Sequence, residues 1–417
     1  MISALLAPLR RADAWLTAPA PSAAGRLGLF RVLYALFYLW YLATQQSVMV
    51  TALPRFYADN PVWIMRFFPK PPSASLMHTL ESLLAGLLVL LLFGLCTRSV
   101  TLLVILVGTL LEGYINTVDS EQGNILLVFF IPCFMLLAGN WGAAHSLDRA
   151  LRVRAGKPAI DPAAPGAAYM ASRLLMVFIS FQFVLAAVYK LTGTWLTHPR
   201  LVGNLMLSTS VDAEFYGIYV NPFAKLIADT PLLYHGLQWT ALLFELFFFL
   251  CLLGPRLRVL IFSVALIFHA LNAFLMWVTF TNIMIVYLAF MNWQAFSDRH
   301  GLGRLAGPLL RLPVPLMLAI PVALALAAGL AWNSPLSARP LFTLGGLVDF
   351  QTIWLPIPAI AVFWLVTSLA ASRRSPSSTC SSQTPQASPV TASRSTFPPR
   401  RRDTPTRSSS PSSPPGG

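Results

Sequence analysis

Lys190 is the residue whose setting most invites chemistry. It ends a long apolar stretch in VLAAVYKLTG, after Gln182, Ala186 and Tyr189, which share one helical stripe with Lys190 at its edge. A primary amine partly withdrawn from water is a usable base. The same position also suits a plain interfacial lysine beside an aromatic belt. Four further polar features interrupt apolar runs. Gly108, Glu112 and Asn116 recur at steps of four, and Glu245 stands within LLFELFFFL. His269 and Asn272 are three apart and share a face, and Arg31 lies just inside the first apolar run. Ionisable groups in such surroundings are costly and turn toward a partner or a cavity. Each therefore either bonds across helices as structural glue or takes part directly in chemistry or ion movement. Arg31, so near the start of its run, is expected to snorkel to the interface.

The elements that must position these residues are membrane spans. A span needs about 20 mostly apolar residues, and ten runs qualify. They are 27–47, 76–96, 99–117, 124–140, 170–190, 238–254, 258–278, 280–297, 314–332 and 352–371. The last two carry interrupting prolines: Pro313, Pro315 and Pro321 in one, Pro356 and Pro358 in the other. Two long connections, 48–75 and 191–237, are too rich in aromatics to be free linkers and should hold short interfacial or re-entrant pieces. The expected fold class is an all-α polytopic membrane bundle of about 8–10 transmembrane helices with a disordered C-terminal tail.

Composition agrees with this reading. Of 417 residues, 56% are hydrophobic and 11% charged, and the mean hydropathy is +0.66. A soluble domain carries roughly 25% charged residues, so much of this surface should meet lipid. The net charge of +14 does not point to nucleic acid, because the basic residues sit in short loops and the tail rather than on an aromatic-laced face. Cys96, Cys133 and Cys251 fall inside apolar runs and Cys380 in the tail. With no CxxC or Cys/His cluster, neither a disulfide framework nor a metal site is indicated. Residues 1–20 lack a long apolar core, so the first span is expected to stay as an anchor. With the N-terminus inside, Arg10, Arg11, Arg26, Arg98 and the basic cluster from Arg149 to Lys157 all fall in the cytoplasm. Lys190, Arg200 and Lys225 fall outside. This predicts an inner-membrane protein with both termini cytoplasmic. Beyond Arg374 the chain turns to Ser, Pro, Thr and Arg, a composition that cannot bury enough apolar area to fold.

Several short segments, in order, resemble the horizontally transferred transmembrane (HTTM) domain. That domain is the membrane part of vitamin K-dependent γ-glutamyl carboxylases and of many bacterial proteins. The segments are LGLFRVLYALFYL around Arg31, LFGLCTRSVTLL with Gly94, Thr97 and Arg98, and Asn124. They continue with HSLD at His145–Asp148, VYKLTGTWL with Tyr189, Lys190 and Trp195, and FHALN with His269 and Asn272. Phe280 and Met284 close the series. The resemblance covers residues 26–297. It divides the chain into an N-terminal cytoplasmic segment (1–25), the HTTM/carboxylase-like domain (26–297), two additional spans (298–372) and a Ser/Pro/Arg-rich tail (373–417).

The resemblance implies that Lys190 is the base that deprotonates a reduced vitamin K or menaquinol-type quinone. His269 and Asn272 would support it, and Tyr189 and Trp195 would lie near the cofactor. Arg31, Glu112, Asn116 and Glu245 would be buried polar support. Two departures bear on substrate. Leu196, Thr197 and His198 follow Trp195 where the family often has a glycine, and two spans and a tail stand where the carboxylases carry a large lumenal domain. Besides a carboxylase-like lyase, two other functions fit the residues. One is a transporter or channel using Glu112, Glu245 and His269. The other is a non-catalytic accessory for maturation of a secreted peptide or small protein. Membrane lipid is the expected surrounding in every case.

Overall fold

In the computed structural model, the residues described are 13–16, 23–44, 72–115, 125–137, 141–158, 164–198, 200–215, 221–276, 280–291 and 312–332. The expected tenth span, the tail and Asn116 and Asn124 lie outside them. The described residues form helices and no strands. In chain order the helices are α1 (Ala23–Thr44), α2 (Ala74–Phe93), α3 (Thr97–Ile115), α4 (Leu126–Leu137), α5 (Leu147–Arg154) and α6 (Ala164–Thr192). They continue as α7 (Leu201–Phe215), α8 (Ala224–Asp229), α9 (Pro231–Leu252), α10 (Pro255–Met276), α11 (Thr281–Leu288) and α12 (Val314–Trp332). Seven of them, α1, α2, α3, α6, α9, α10 and α12, are long and apolar enough to cross a membrane. Leu102 and Leu106 of α3 and Leu326 and Leu330 of α12 remain exposed. In water such rows would be an aggregation liability; they are lipid-facing surface. The chain is an integral membrane protein of the all-α polytopic class.

One face of α1 shows how the bundle is held. Leu27, Phe30, Arg31, Tyr34, Tyr38 and Leu42 recur at three- and four-residue steps, and all are fully buried. Arg31 therefore does not snorkel. Its guanidinium donates to the carbonyls of Trp141 (3.0 Å), Ala144 (3.5 Å) and His145 (2.5 Å), in the turn ahead of α5. A turn inside a protein must satisfy its carbonyls, and a planar donor fork meets several at once. Gly94 ends α2 with φ +67, and a Cβ there would come within 2.6 Å of Arg31 Nη1. The site thus needs glycine for both backbone and space. Asp148 closes the same knot, accepting from the amides of Cys96 (2.8 Å) and Thr97 (2.7 Å) at the start of α3. Trp141 Nε1 donates to Thr101 Oγ1 at 3.0 Å. Cys96 belongs to this exposed turn rather than to an apolar span, because α2 stops at Phe93.

Two helices depart from regular geometry, α4 at its start and α9 at its end. α4 opens with a π-helical turn, Leu126–Phe130, before the α-helical Ile131–Leu137. Pro132 has no amide to give the carbonyl four residues earlier, and such a turn relieves the mismatch. Tyr34 donates its hydroxyl to Leu127 O at 2.9 Å in that turn. α9 tightens into a 3-10 segment at Phe248–Leu252, directly after Glu245. The proline-bearing α12 packs closely on α2. A Cβ on Gly86 would lie 3.1 Å from Ala325 O, and one on Gly329 would lie 3.0 Å from Ser82 O. Small residues that let backbones approach in this way are how helices associate in lipid. The connection after α6 is helical as well. α7 and α8 bury Val202, Met206, Ala224 and Ile227 against Tyr234 of α9, with Trp195 packed on the cluster.

Candidate functional site

Lys190 lies in the last turn of α6 and Glu245 in the last α-helical turn of α9. Lys190 Nζ donates to both Glu245 oxygens, each at 2.6 Å, and the two side chains are 21% and 10% exposed. On its other side the amine lies 5.0 Å from the centre of the Trp195 ring, within cation–π range. The indole is fixed by a reciprocal clasp. Trp195 Nε1 donates to Gln238 O at 3.1 Å, and the Gln238 side-chain amide donates to Trp195 O at 2.8 Å and His198 O at 3.2 Å. Gln238 is buried two turns into α9. The 193–198 turn is thereby tied to the helix that carries Glu245.

Beside this pair is a cavity of about 480 Å³. α6 lines it with Phe178, Ile179, Gln182, Phe183 and Ala186, and the π-helical turn lines it with Leu126 and Phe130. Phe268 and His269 of α10, Phe280 and Ile283 complete the apolar side. Its polar groups are Gln182, Glu245 and His269. Gln182 is also exposed, so the cavity has an edge at the outer surface of α6. An apolar hollow of this size with few polar groups is the usual form of a small-ligand site.

His269 is fully buried. Its Nε2 lies 3.0 Å from Tyr287 Oη, and its ring is 4.9 Å from that of Phe280. Nδ1 has no hydrogen-bond partner among the described residues. The Tyr287 bond occupies one ring nitrogen in either tautomer and leaves the other unused.

The remaining candidates fall into separate places. Asn272 is buried one turn beyond His269 but is not on the cavity wall, and Tyr189 is 72% exposed. Trp195 touches the amine rather than the cavity. Glu112 is buried on α3, on the side where Gly108 leaves room for the Tyr38 hydroxyl, and it does not line the cavity. Arg31 sits on α1 and ties that helix to the turn ahead of α5, away from the cavity. Sequence reading singled out Lys190 and Glu245 separately and missed that they pair. It also missed Tyr287 and Gln238, whose one available signal was a polar tip inside an apolar run.

Comparison of the chain with protein-family models, with curated proteins and with solved structures returned no match.

Proposed function

We propose that this chain is a membrane-embedded enzyme of the HTTM, vitamin K-dependent carboxylase-like kind. In this reading a reduced vitamin K or menaquinol-type quinone occupies the cavity between α6, α9 and α10. The observation that carries it is an ion pair, Lys190–Glu245, set against the wall of an apolar hollow within the membrane bundle. A buried ion pair is a poor stabiliser, because desolvation offsets most of its attraction. A pair kept beside a cavity is better explained by chemistry than by folding.

The residues present fit a flat, lipophilic ring. Phe130, Phe178, Phe183, Phe268 and Phe280 offer aromatic contact, and Gln182, Glu245 and His269 offer polar contact to ring oxygens. The edge of the cavity at Gln182 suits entry from the bilayer. Together with dioxygen, a bound reduced quinone would supply the strong-base chemistry that a carboxylase uses on a glutamate γ-carbon. The chain's own part is to exclude water with the phenylalanines, hold the ring between them and manage a proton at the Lys190–Glu245 pair. The reading puts both termini in the cytoplasm of a cell inner membrane and Lys190 on the extracytoplasmic side. A secreted peptide or small protein would then be the substrate.

The test uses the full chain in lipid nanodiscs with menaquinol, dioxygen, labelled bicarbonate and a glutamate-rich peptide. The wild type should fix label, and Lys190→Ala, less stable but still folded and monodisperse, should not. Full activity in Lys190→Ala, or none in the wild type, ends the reading. A silent wild type that co-purifies with a small secreted protein would make the chain a maturation accessory.

A further inference from the structure

The resemblance gives the role of base to Lys190, yet the group on the cavity wall is Glu245. Lys190 stands behind it, closed in by two electron-rich partners. Both carboxylate oxygens lie 2.6 Å from Nζ, and the Trp195 ring lies 5.0 Å away on the other side. As an ammonium bound in this way, the amine has no lone pair to offer. If the contact proton moves to the carboxyl, the amine lone pair is taken up by that same proton. In either form the free acceptor lone pairs next to the cavity belong to Glu245.

We infer that the Glu245 carboxylate is the direct proton acceptor for a ring hydroxyl bound in the cavity, and that Lys190 is its positioning and charge-balancing partner. This rests on the reading of the cavity as a hydroquinone-type site. In the step, the ligand O–H bond breaks and an O–H bond forms on Glu245. The electron pair stays on the ligand oxygen. Before it, the charges are Lys190 positive, Glu245 negative and ligand neutral; after it, they are Lys190 positive, Glu245 neutral and ligand negative. The sum is zero throughout. A neutral lysine base beside an ionised Glu245 would instead leave two anions against one cation when the step is complete. Unbalanced charge in a site withdrawn from water is strongly disfavoured. His269, which also lines the cavity, has a buried Nδ1 without a hydrogen-bond partner among the described residues.

The probe is 1-naphthol, a redox-inert bicyclic phenol. Its binding is read by tryptophan quenching and its ionisation by absorbance, using the full chain in nanodiscs at neutral pH. Wild type should bind naphthol and ionise part of it. Lys190→Arg keeps the positive charge but cannot accept a proton, and it should retain ionisation. Glu245→Gln should bind naphthol with ionisation lost. Infrared difference spectra of the wild type should gain a carboxylic acid carbonyl band on binding, a readout that needs no variant to fold. Ionisation kept in Glu245→Gln but lost in Lys190→Arg, or wild-type ionisation without the carboxylic acid band, overturns the assignment and leaves the cavity reading intact. Failure of the wild type to bind naphthol overturns both.

Discussion

The Lys190–Glu245 pair can be separated into its contributions to stability and to function by a double-mutant cycle. With charge centres about 3 Å apart and an effective dielectric of about 20, their attraction is roughly 5 kcal/mol. Desolvation offsets most of that, and the remaining exposure of 21% and 10% lets water screen part of the rest. The pair as a whole should therefore contribute close to nothing to stability. Removing one partner is different, because it strands the other. For a fully buried pair that costs about 3–5 kcal/mol, and residual exposure reduces it here to roughly 2–3 kcal/mol. Lys190→Met and Glu245→Leu should each lower stability by that amount, and the double variant should return to within about 1 kcal/mol of wild type. The assay is reversible denaturation in mixed micelles, run beside naphthol ionisation. The double variant should be stable and unable to ionise naphthol. Single variants that are each neutral, or a double variant as unstable as the sum of the singles, would refute the electrostatic reasoning.

Further expectations follow from the packing. Arg31→Met strands the carbonyls of Trp141, Ala144 and His145 and should cost about 3–5 kcal/mol, read as loss of monodisperse protein after extraction. Gln238→Leu releases the clasp on Trp195, so Lys190 should react several-fold faster with an amine reagent while the melting temperature falls only slightly; an unchanged labelling rate would count against the clasp. Gly329→Leu would press a side chain onto Ser82 O, which a Cβ alone already approaches to 3.0 Å. It should separate α12 from α2, detected as faster disulfide-independent cross-link loss between cysteines placed on the two helices.

The spans were legible because a run of about 20 apolar residues has few alternatives in lipid. Seven described helices fall on the expected runs, with ends shifted by a few residues at Ser73 and Gly94 and by two full turns where Pro231 starts α9 ahead of the expected 238. What the apolar pattern does not encode is the backbone irregularity, such as the π-helical turn before Pro132 and the 3-10 segment after Glu245. Arg31 was visible as a charge, but its partners are backbone carbonyls of a distant turn, and carbonyls carry no side-chain signature. The same limit hid the Lys190–Glu245 pair. Each residue was conspicuous in its own helix, while their meeting depends on how α6 and α9 pack. Tyr189 illustrates the converse: periodicity set it on the stripe of Gln182 and Ala186, yet it lies beyond the cavity and faces outward.

The central claim is that the cavity beside Lys190 and Glu245 holds a flat lipophilic ring. Photo-crosslinking with an azido-naphthoquinone in nanodiscs, followed by peptide mapping, tests it most directly. Label should fall on α6 near Phe183 and on α10 near His269, should be displaced by menaquinone, and should disappear in Ala186→Trp, whose side chain fills the cavity. Label confined to other helices, or undiminished in Ala186→Trp, would contradict the account.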